Sequence, residues 1–241
     1  LYIDIFMIMH KNFKKNILDF NKKQICFDLA LLLIISAIFL FYRLGSFPLF
    51  IPDEGRYPEI AREMLQNGQW LRPQILDVAF LDKPFLYYWI EALSMHIFGV
   101  TIWAIRLPIA LFGIFGCLMT YIIAGSCFSR LAGWFSAIFL LLGPLYFGAA
   151  HYSNMDLEFA VWFSASMCSF IMGLKLRHIK KQRDTCMLLM YVFAALAFLT
   201  KGLMGLVFPI LIIGLWVILF NKWFLIKYMR IISGICIFSI L

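Results

Sequence analysis

Two adjacent carboxylates, Asp53 and Glu54, follow an apolar run that is typical of a membrane span. A carboxylate at the end of a span can accept a proton from a hydroxyl group or ligate a metal ion. The competing interpretation is a helix cap, because Asp is among the residues preferred just before a first helical turn. For Asp53 alone the cap is the better account, and the pair by itself leaves both interpretations open.

Two lysines occupy positions where a cation is unusual. Lys83 stands between apolar stretches in the segment FLDKPF, and Lys201 stands between two apolar runs in FLTKGLMG. A lysine can bind a phosphate as a point charge. It can also anchor the chain by extending its ammonium group to the membrane interface. Taken one at a time, neither lysine decides between these interpretations.

A further acidic position is Asp156, at the start of another apolar run in HYSNMDLEFAVW. Acids in membrane segments are rare and are candidates for function. The alternative is that Ser153, Asn154 or Asp156 caps the helix that begins there. If the two acidic sites and the two lysines share one face of a membrane, they fit a phosphate-bearing lipid substrate and a hydroxyl group to be deprotonated.

The composition indicates the class of protein that positions these residues. Of the 241 residues, 63% are hydrophobic and 14% are charged, whereas a soluble domain is about half apolar and a quarter charged. The chain is therefore an integral membrane protein. Its net charge of +8 is explained by basic loops on one side of a membrane, so no nucleic-acid partner is expected. The six cysteines show no CxxC spacing, so no disulfide framework is predicted.

The apolar runs predict an all-α, polytopic membrane protein with six to seven transmembrane helices. The runs cover residues 27–41, 102–128, 133–149, 157–174, 187–199, 203–220 and 231 onward. The last run is cut off, so we expect the sequence to be incomplete at its C-terminus. The predicted organisation is an N-terminal segment, residues 1–26, followed by a transmembrane domain, residues 27–241.

Positive charge predicts how these helices are oriented. Four segments on one side hold 14 of the 21 Lys and Arg residues: 1–26, 129–130, 175–184 and 221–230. By the positive-inside rule this side, with the N-terminus, is cytoplasmic. The long loop at about residues 42–100 and the turns that carry Asp156 and Lys201 then share the outer side.

The long outer loop contains two predicted amphipathic helices. In the first, apolar residues recur at helical spacing on one face: Tyr57, Ile60, Ala61, Met64 and Leu65. The opposite face carries Glu59, Arg62, Glu63 and Gln66. Gly68 is a suitable C-terminal stop, and a second aromatic-rich segment begins at Pro84. We expect both helices to lie along the membrane surface.

Several motifs in this order carry a resemblance to a known family. They are DEGRYPEIAREMLQNGQWLRPQI, FLDKPFLYYWIEALSMHIFG, YSNMDLEF and LTKG, with Arg106 to Pro108 at the entry to the second span. The chain resembles the polytopic, lipid-carrier-dependent glycosyltransferases of the GT-C type from about Phe27 onward. It is similar in particular to the bacterial 4-amino-4-deoxy-L-arabinose (lipid A) transferases and the related protein O-mannosyltransferases.

The resemblance implies catalytic roles for the acidic positions. Asp53, beside Glu54, matches the carboxylate that assists the nucleophile of the acceptor. Asp156 matches a second acidic motif at the start of a later span. These three residues are the catalytic candidates that follow from the resemblance.

The resemblance also implies a binding site for the phosphate of a polyprenyl phosphate-linked sugar donor. Lys83 and Lys201 match the lysines that hold this phosphate. Arg56 is expected near the phosphate, and Tyr57 is expected in the cavity wall. In the arabinose transferases the residue before the first lysine is commonly Glu, which can join a later His in metal binding. Here it is Asp82 without such a His, so a divalent metal is left open and no cofactor is predicted with certainty.

The predicted function is a glycosyltransferase of the bacterial inner membrane with a periplasmic active site. It would move an aminoarabinose-type sugar or a hexose from the polyprenyl phosphate to lipid A or another envelope acceptor. The alternatives are a protein O-mannosyltransferase-like enzyme and an inactive truncated remnant, because the family continues through further spans to a soluble domain. A transporter is disfavoured, because the acids lie at span ends and no internal repeat is visible.

Overall fold

The structure, a computed structural model, describes residues 22–240, which are mostly helical. In chain order its helices are α1 (Lys22–Phe41), α2 (Asp53–Asn67), α3 (Leu86–Phe98), α4 (Ile102–Cys127), α5 (Arg130–Leu142), α6 (Pro144–Ala150), α7 (Met155–Lys175), α8 (Lys180–Lys201), α9 (Met204–Leu219) and α10 (Ile231–Ile240). A short hairpin, β1 (Gln74–Ile75) and β2 (Val78–Ala79), separates α2 from α3, and a 3-10 helix covers Trp223–Tyr228. Most of the predicted N-terminal segment lies outside the described residues, and its end, residues 22–26, belongs to α1.

Four helices, α1, α4, α7 and α8, are long and apolar enough to cross a membrane, and the α5–α6 pair adds a fifth if it is one span. This confirms the all-α, polytopic membrane class. The predicted sixth and seventh runs form α9 and α10, with 16 and 10 residues. Helix α9 is shorter than the roughly 20 residues that a perpendicular helical span needs, and α10 reaches the last described residue.

The predicted third span, residues 133–149, is wrong as a single helix. It consists of α5 and α6, which are bent by 66° relative to each other. Gly143 between them has an extended backbone (φ −61°, ψ 120°). A residue before proline is disfavoured in the helical region, and Pro144 has no N–H to continue the helix, so the chain turns there.

The boundaries of the other spans follow the apolar runs to different degrees. Helix α4 ends within one residue of the prediction. Helix α8 begins at Lys180, whereas the apolar run predicted a start at Met187. The basic segment 175–184 was therefore predicted to be a longer loop than it is. Polar residues can continue a helix beyond its apolar run, and a hydropathy pattern does not detect such an extension.

The two predicted outer-loop helices are present and pack on each other. Helix α2 ends at Gly68, which adopts the left-handed conformation (φ 67°) and donates its N–H to Met64. The buried cluster between α2 and α3 includes Tyr57, Ile60, Ala61, Met64, Tyr87, Tyr88, Ala92 and Met95. The apolar face of α2 is thus covered by protein, which fixes the start of α2 against the rest of the chain.

The pattern predicted Glu63 on the exposed, polar face of α2, and this prediction is wrong. Its side chain is buried, and Oε1 accepts a hydrogen bond of 2.7 Å from the Leu76 N–H. Leu76 and Asp77 have positive φ and form the turn between β1 and β2. The hairpin, which the sequence analysis did not predict, therefore folds back over this side of α2.

A second buried cluster connects the spans beneath this layer. It contains Leu40, Leu44, Ile109, Ala110, Ile114, Cys117, Leu141, Ala150, Leu157 and Val161. These residues come from α1, α4, α5, α6 and α7 and from the chain just after α1. The cluster holds the starts of α4 and α7 next to each other, and both helix starts carry residues of the candidate site.

Candidate active site

Asp53 lies in the first turn of α2 and does not cap it. The N-terminal cap position is Pro52, which makes no side-chain capping bond. The Asp53 carboxylate accepts hydrogen bonds from Arg56 Nη2 at Oδ1 (3.0 Å) and from the Tyr152 hydroxyl at Oδ2 (3.3 Å). Its side chain is 32% exposed. The cap interpretation of Asp53 is therefore wrong, and its carboxylate is accessible to a reactant.

Glu54 has very different surroundings, because it is completely buried. Arg106 donates to both carboxylate oxygens, from Nε to Oε1 (2.8 Å) and from Nη2 to Oε2 (2.7 Å). The backbone N–H groups of Ser153 and Phe50 donate one further bond each. Burial alone raises the pKa of Glu54, but these hydrogen bonds and the charge of Arg106 outweigh it, so the pKa lies below its usual value. Glu54 is ionised, enclosed and fully bonded.

Arg106 is a site residue to which the sequence analysis gave no role. It is 1% exposed in the first turns of α4, and its other donors reach the carbonyl oxygens of Leu44, Phe47 and Pro48. The three bonds measure 3.2, 3.1 and 3.0 Å. An arginine in an apolar helix is unusual enough to indicate a role. Its partner Glu54 lies 52 residues earlier, beyond any local pattern.

Arg56 and Tyr57, which were predicted near the donor phosphate and in the cavity wall, lie beside Asp53. Arg56 Nη2 donates to Asp53 Oδ1 and to the Tyr57 hydroxyl (3.1 Å). The guanidinium group lies 4.8 Å from the Tyr57 ring centre and 5.6 Å from that of Phe80. Tyr57 is largely buried, and its ring packs against Tyr87. A cation, a carboxylate and two aromatic faces therefore surround the start of α2.

Asp156 and Lys201 form an ion pair, although they are 45 residues apart. Asp156 is in the first turn of α7, and Lys201 is the last residue of α8. The cap of α7 is Asn154, whose Oδ1 accepts the Asp156 N–H (2.9 Å). The Lys201 ammonium also lies 5.6 Å from the Phe159 ring centre. The Asp156 side chain is 61% exposed, so the pair faces open space.

Lys83 is brought close to the Lys201 segment. A Cβ added to Gly202 would lie 3.9 Å from Pro84 Cγ, so the turn after Lys201 contacts the residue after Lys83. Gly202 has φ 70° and ψ −142°, a conformation that glycine adopts readily and other residues avoid. Lys83 itself pairs with Asp82 at 3.2 Å. The two predicted phosphate-binding lysines therefore belong to neighbouring segments.

The segment between α6 and α7 forms hydrogen bonds with Asp53 and Glu54 of α2 and with Glu91 of α3. The Tyr152 hydroxyl donates to Asp53, and the Ser153 N–H donates to Glu54. The Ser153 hydroxyl donates to Glu91 Oε1. Ser153 was predicted only as a possible cap, and no role was predicted for Glu91. An acid within the apolar segment YYWIEALSM is the sequence feature that could have indicated a role for Glu91.

Glu91 is a buried acid whose pKa is raised to about 8. Burial is the largest cause, and the charges of Glu158 and Glu54 raise the pKa further. Hydrogen bonds from Ser153 and from the Tyr87 hydroxyl (3.0 Å) lower it and do not compensate. The Glu91 carboxyl group is therefore largely protonated at neutral pH.

The predicted role of Asp82 in metal binding has no supporting ligand set among residues 22–240. Within this range no three His, Cys, Asp or Glu side chains are grouped closely enough to hold a metal ion. The contact of Asp82 is with Lys83. The described residues do not by themselves fit a divalent metal here, and its role stays a prediction.

A sequence model of the dolichyl-phosphate-mannose-protein mannosyltransferase family matches residues 82–241, about two thirds of the chain. The chain belongs to this family. The match includes Lys83, Asp156 and Lys201 and begins after Asp53. It confirms the glycosyltransferase resemblance that the ordered motifs indicated.

Curated relatives of this family member are arabinosyl transferases. The undecaprenyl phosphate-alpha-4-amino-4-deoxy-L-arabinose arabinosyl transferase of Edwardsiella ictaluri is 30% identical over 193 residues, 78% of this chain and 35% of the relative. A second such transferase, from Proteus mirabilis, is 32% identical over 185 residues, 76% of this chain and 33% of the relative. The chain therefore spans about a third of the length of these relatives.

Two crystal structures of ArnT from Cupriavidus metallidurans share the fold. One is in the apo state and the other is bound to undecaprenyl phosphate. Each superposes with a TM-score of 0.83 and 27% identity, over 88% of this chain and 39% of ArnT. The likeness supports a polytopic membrane protein of this family.

Proposed function

We propose that the chain carries the donor-binding part of a glycosyltransferase that takes a sugar from a polyprenyl phosphate carrier. The observation that carries the proposal is the contact between the Lys83 and Lys201 segments at Gly202. It gathers two cations at the end of the helical bundle where Asp53 is exposed. The relative that binds undecaprenyl phosphate supports a phosphate ligand for such a site.

The cations would stabilise the leaving group. In the transfer, the bond between the anomeric carbon and the phosphate oxygen breaks, and the electron pair leaves with the phosphate. Positive groups aimed at the developing charge lower the barrier to this step. Lys83, Lys201 and Arg56 supply that charge. In the ligand-free protein each has a carboxylate partner, which the incoming phosphate would replace.

One carboxylate faces the reactants, and the other two hold neighbouring parts of the site in place. Asp53 orients the acceptor oxygen that attacks the anomeric carbon. If the acceptor is a hydroxyl group, Asp53 accepts its proton, and if the acceptor is a phosphate oxygen, no proton moves. Glu54, enclosed by Arg106 and Ser153, holds the start of α2 in place. Asp156 holds Lys201 until the donor phosphate arrives.

The names of the relatives support an aminoarabinose donor, and lipid A is the acceptor implied by the resemblance. The family description favours a second candidate, transfer of mannose from a lipid carrier to protein. The two candidates differ in the acceptor atom. Lipid A offers a phosphate oxygen, whereas a protein offers a serine or threonine hydroxyl, so only the second requires Asp53 as a base.

The proposed location is the bacterial inner membrane, with lipid contact around the spans. The basic segments 175–184 and 221–230 would face the cytoplasm together with the N-terminus. The candidate site would then face the periplasm, where a lipid carrier can present its sugar to envelope acceptors.

The test is transfer of a radiolabelled sugar from undecaprenyl phosphate by membranes that contain the chain. Lys83→Ala with either acceptor, and Asp53→Asn with a hydroxyl acceptor, should each reduce transfer about a hundredfold, the usual scale for a charge-stabilising group or a base. Lys181→Ala is the matched control, because Lys181 is exposed and lies about 30 Å along α8 from Lys201. Equal transfer by all variants would overturn the site. No transfer by the unaltered chain would overturn its activity as a separate protein.

The acceptors are distinguished in the same assay. Lipid A and a serine- and threonine-containing peptide are offered separately to the unaltered chain. Labelled lipid A supports the arabinosyl transferase candidate, and labelled peptide supports the mannosyltransferase candidate.

A further inference from the structure

The hydroxyl group of Tyr88 is buried without a hydrogen-bond partner among the described residues. Tyr88 is 0% exposed on α3, within the cluster that supports the candidate site. Its neighbour Tyr87 is equally deep, but the Tyr87 hydroxyl bonds to Glu91 and Ser153. A buried tyrosine hydroxyl usually finds a partner, so the unpaired group at Tyr88 requires an explanation.

The unpaired hydroxyl belongs to a ring that packs in one cluster with Tyr57 of α2. The Tyr88 ring centre is 6.1 Å from that of Tyr57, which in turn contacts the Arg56 guanidinium group. Burial raises the pKa of Tyr88, the neighbouring Tyr57 and Glu91 raise it further, and the charge of Arg56 lowers it. The phenol therefore stays protonated and can donate a hydrogen bond at neutral pH.

A second buried donor without a partner among the described residues belongs to Arg56. Its Nε is unpaired there, although Arg56 Nη2 bonds to Asp53 and Tyr57. Two hydrogen-bond donors without acceptors fit a ligand that is rich in acceptor oxygens. A phosphate, with its charged oxygens, is the group that arginine binds with particular preference.

We propose that the Tyr88 hydroxyl is a further ligand-binding group, which donates a hydrogen bond to a phosphoryl oxygen of the lipid carrier beside Arg56. This inference rests on the proposed function. The Tyr88 side chain is completely buried, so binding requires a neighbouring side chain to move. We assign that movement to Arg56, whose side chain is 39% exposed and is held by an exchangeable pair with Asp53.

The experiment compares ligand-free stability with carrier affinity in Tyr88→Phe. Because the hydroxyl has no partner, its removal should leave the melting temperature of the detergent-purified chain unchanged or raise it. Affinity for undecaprenyl phosphate, measured by titration, should fall about tenfold or more, as expected for a hydrogen bond to a charged group. Undecaprenol, which has no phosphate, should bind both proteins equally.

Two tyrosine variants serve as controls. Tyr87→Phe removes a hydroxyl with two partners and should lower the melting temperature. Tyr121→Phe removes a hydroxyl that bonds to Asp28, away from the candidate site, and should leave carrier affinity unchanged.

The outcomes separate this inference from the proposed function. If the unaltered chain binds no undecaprenyl phosphate, the proposed function and this inference fail together. If it binds and Tyr88→Phe binds equally well, only the inference fails. Glu91 Oε2 is also buried without a partner among residues 22–240, and a water-mediated link from it to Tyr88 is the competing explanation. A lower ligand-free melting temperature for Tyr88→Phe would favour that structural link and overturn the binding role.

Discussion

The Arg106 guanidinium group donates two hydrogen bonds, of 2.8 and 2.7 Å, to the Glu54 carboxylate, and both side chains are almost completely buried. This contact ties the first turns of α2 to the first turns of α4. It places Asp53, the adjacent residue, at the exposed edge of the site. The ion pair therefore determines where the accessible carboxylate lies.

Removing one member of this pair should destabilise the protein strongly. Arg106→Leu leaves an ionised, buried Glu54, a change that typically costs about 3–5 kcal/mol. The double variant Glu54→Leu with Arg106→Leu leaves no unpaired charge and should be more stable than Arg106→Leu alone. Melting temperatures in detergent measure both effects. If the effects of Arg106→Leu and Glu54→Leu, each measured alone, simply add up to that of the double variant, the two side chains do not depend on each other as the structure indicates.

Glu91 should make stability depend on pH. Its pKa rises from an ordinary value of 4.5 to about 8 on folding, so the folded state holds a proton that the unfolded chain releases. The Glu91 contribution to stability is complete below pH 4.5 and declines as the pH rises toward about 8. Glu91→Gln, which stays neutral, should have a flatter curve of melting temperature against pH, and its advantage should grow with pH.

The matched control for that experiment is Glu59→Gln. A hydrogen bond from Arg62 lowers the pKa of Glu59, so this carboxylate stays ionised above pH 5.5. Its replacement should displace the whole curve without changing its slope over pH 5.5 to 8. Parallel curves for Glu91→Gln and the unaltered protein would contradict the buried, protonated state of Glu91.

The ion pair between Asp156 and Lys201 should affect ligand binding more than stability. Because Asp156 is 61% exposed, the pair contributes at most about 1 kcal/mol to folding. Asp156→Asn frees the lysine from its competitor, so undecaprenyl phosphate should bind up to about fivefold more tightly. Lys201→Ala should weaken binding. Isothermal titration of both variants gives the comparison, and changes in the same direction would show that the carboxylate does not compete with the phosphate.

Replacing Gly202 by alanine, which adds only a methyl group, should destabilise the protein. Its backbone conformation, with φ 70° and ψ −142°, is strained for alanine by about 1–3 kcal/mol. Gly202→Ala should lower the melting temperature and displace the turn after Lys201 from Pro84, which weakens carrier binding. Gly214→Ala is the control, because Gly214 lies inside α9 with open space around it and should tolerate or gain from the change. Equal effects at both glycines would exclude a special role for the Gly202 turn.

Several helix boundaries could be predicted from the sequence. The start of α4 at Ile102 and the end of α2 at Gly68 follow from an apolar run and a glycine stop. The proximity of Arg56 to Asp53 is also local, because the two residues lie within one turn of the same helix. The bend at Gly143 was not predicted, since hydropathy continues across it although the backbone does not remain helical.

The sequence by itself determined the membrane class, the main helices and the set of polar residues at the span ends. Each of these depends on composition or on spacing within about one helix. Only the tertiary structure decided that Glu54 is enclosed by Arg106 while Asp53 is open, that Asp156 pairs with Lys201, and that Ser153 joins Glu54 to Glu91. The partners in these contacts lie between 45 residues apart along the chain, for Asp156 and Lys201, and 99 residues apart, for Glu54 and Ser153. Periodicity shows which face of a helix is apolar, but it does not show which distant helix covers that face.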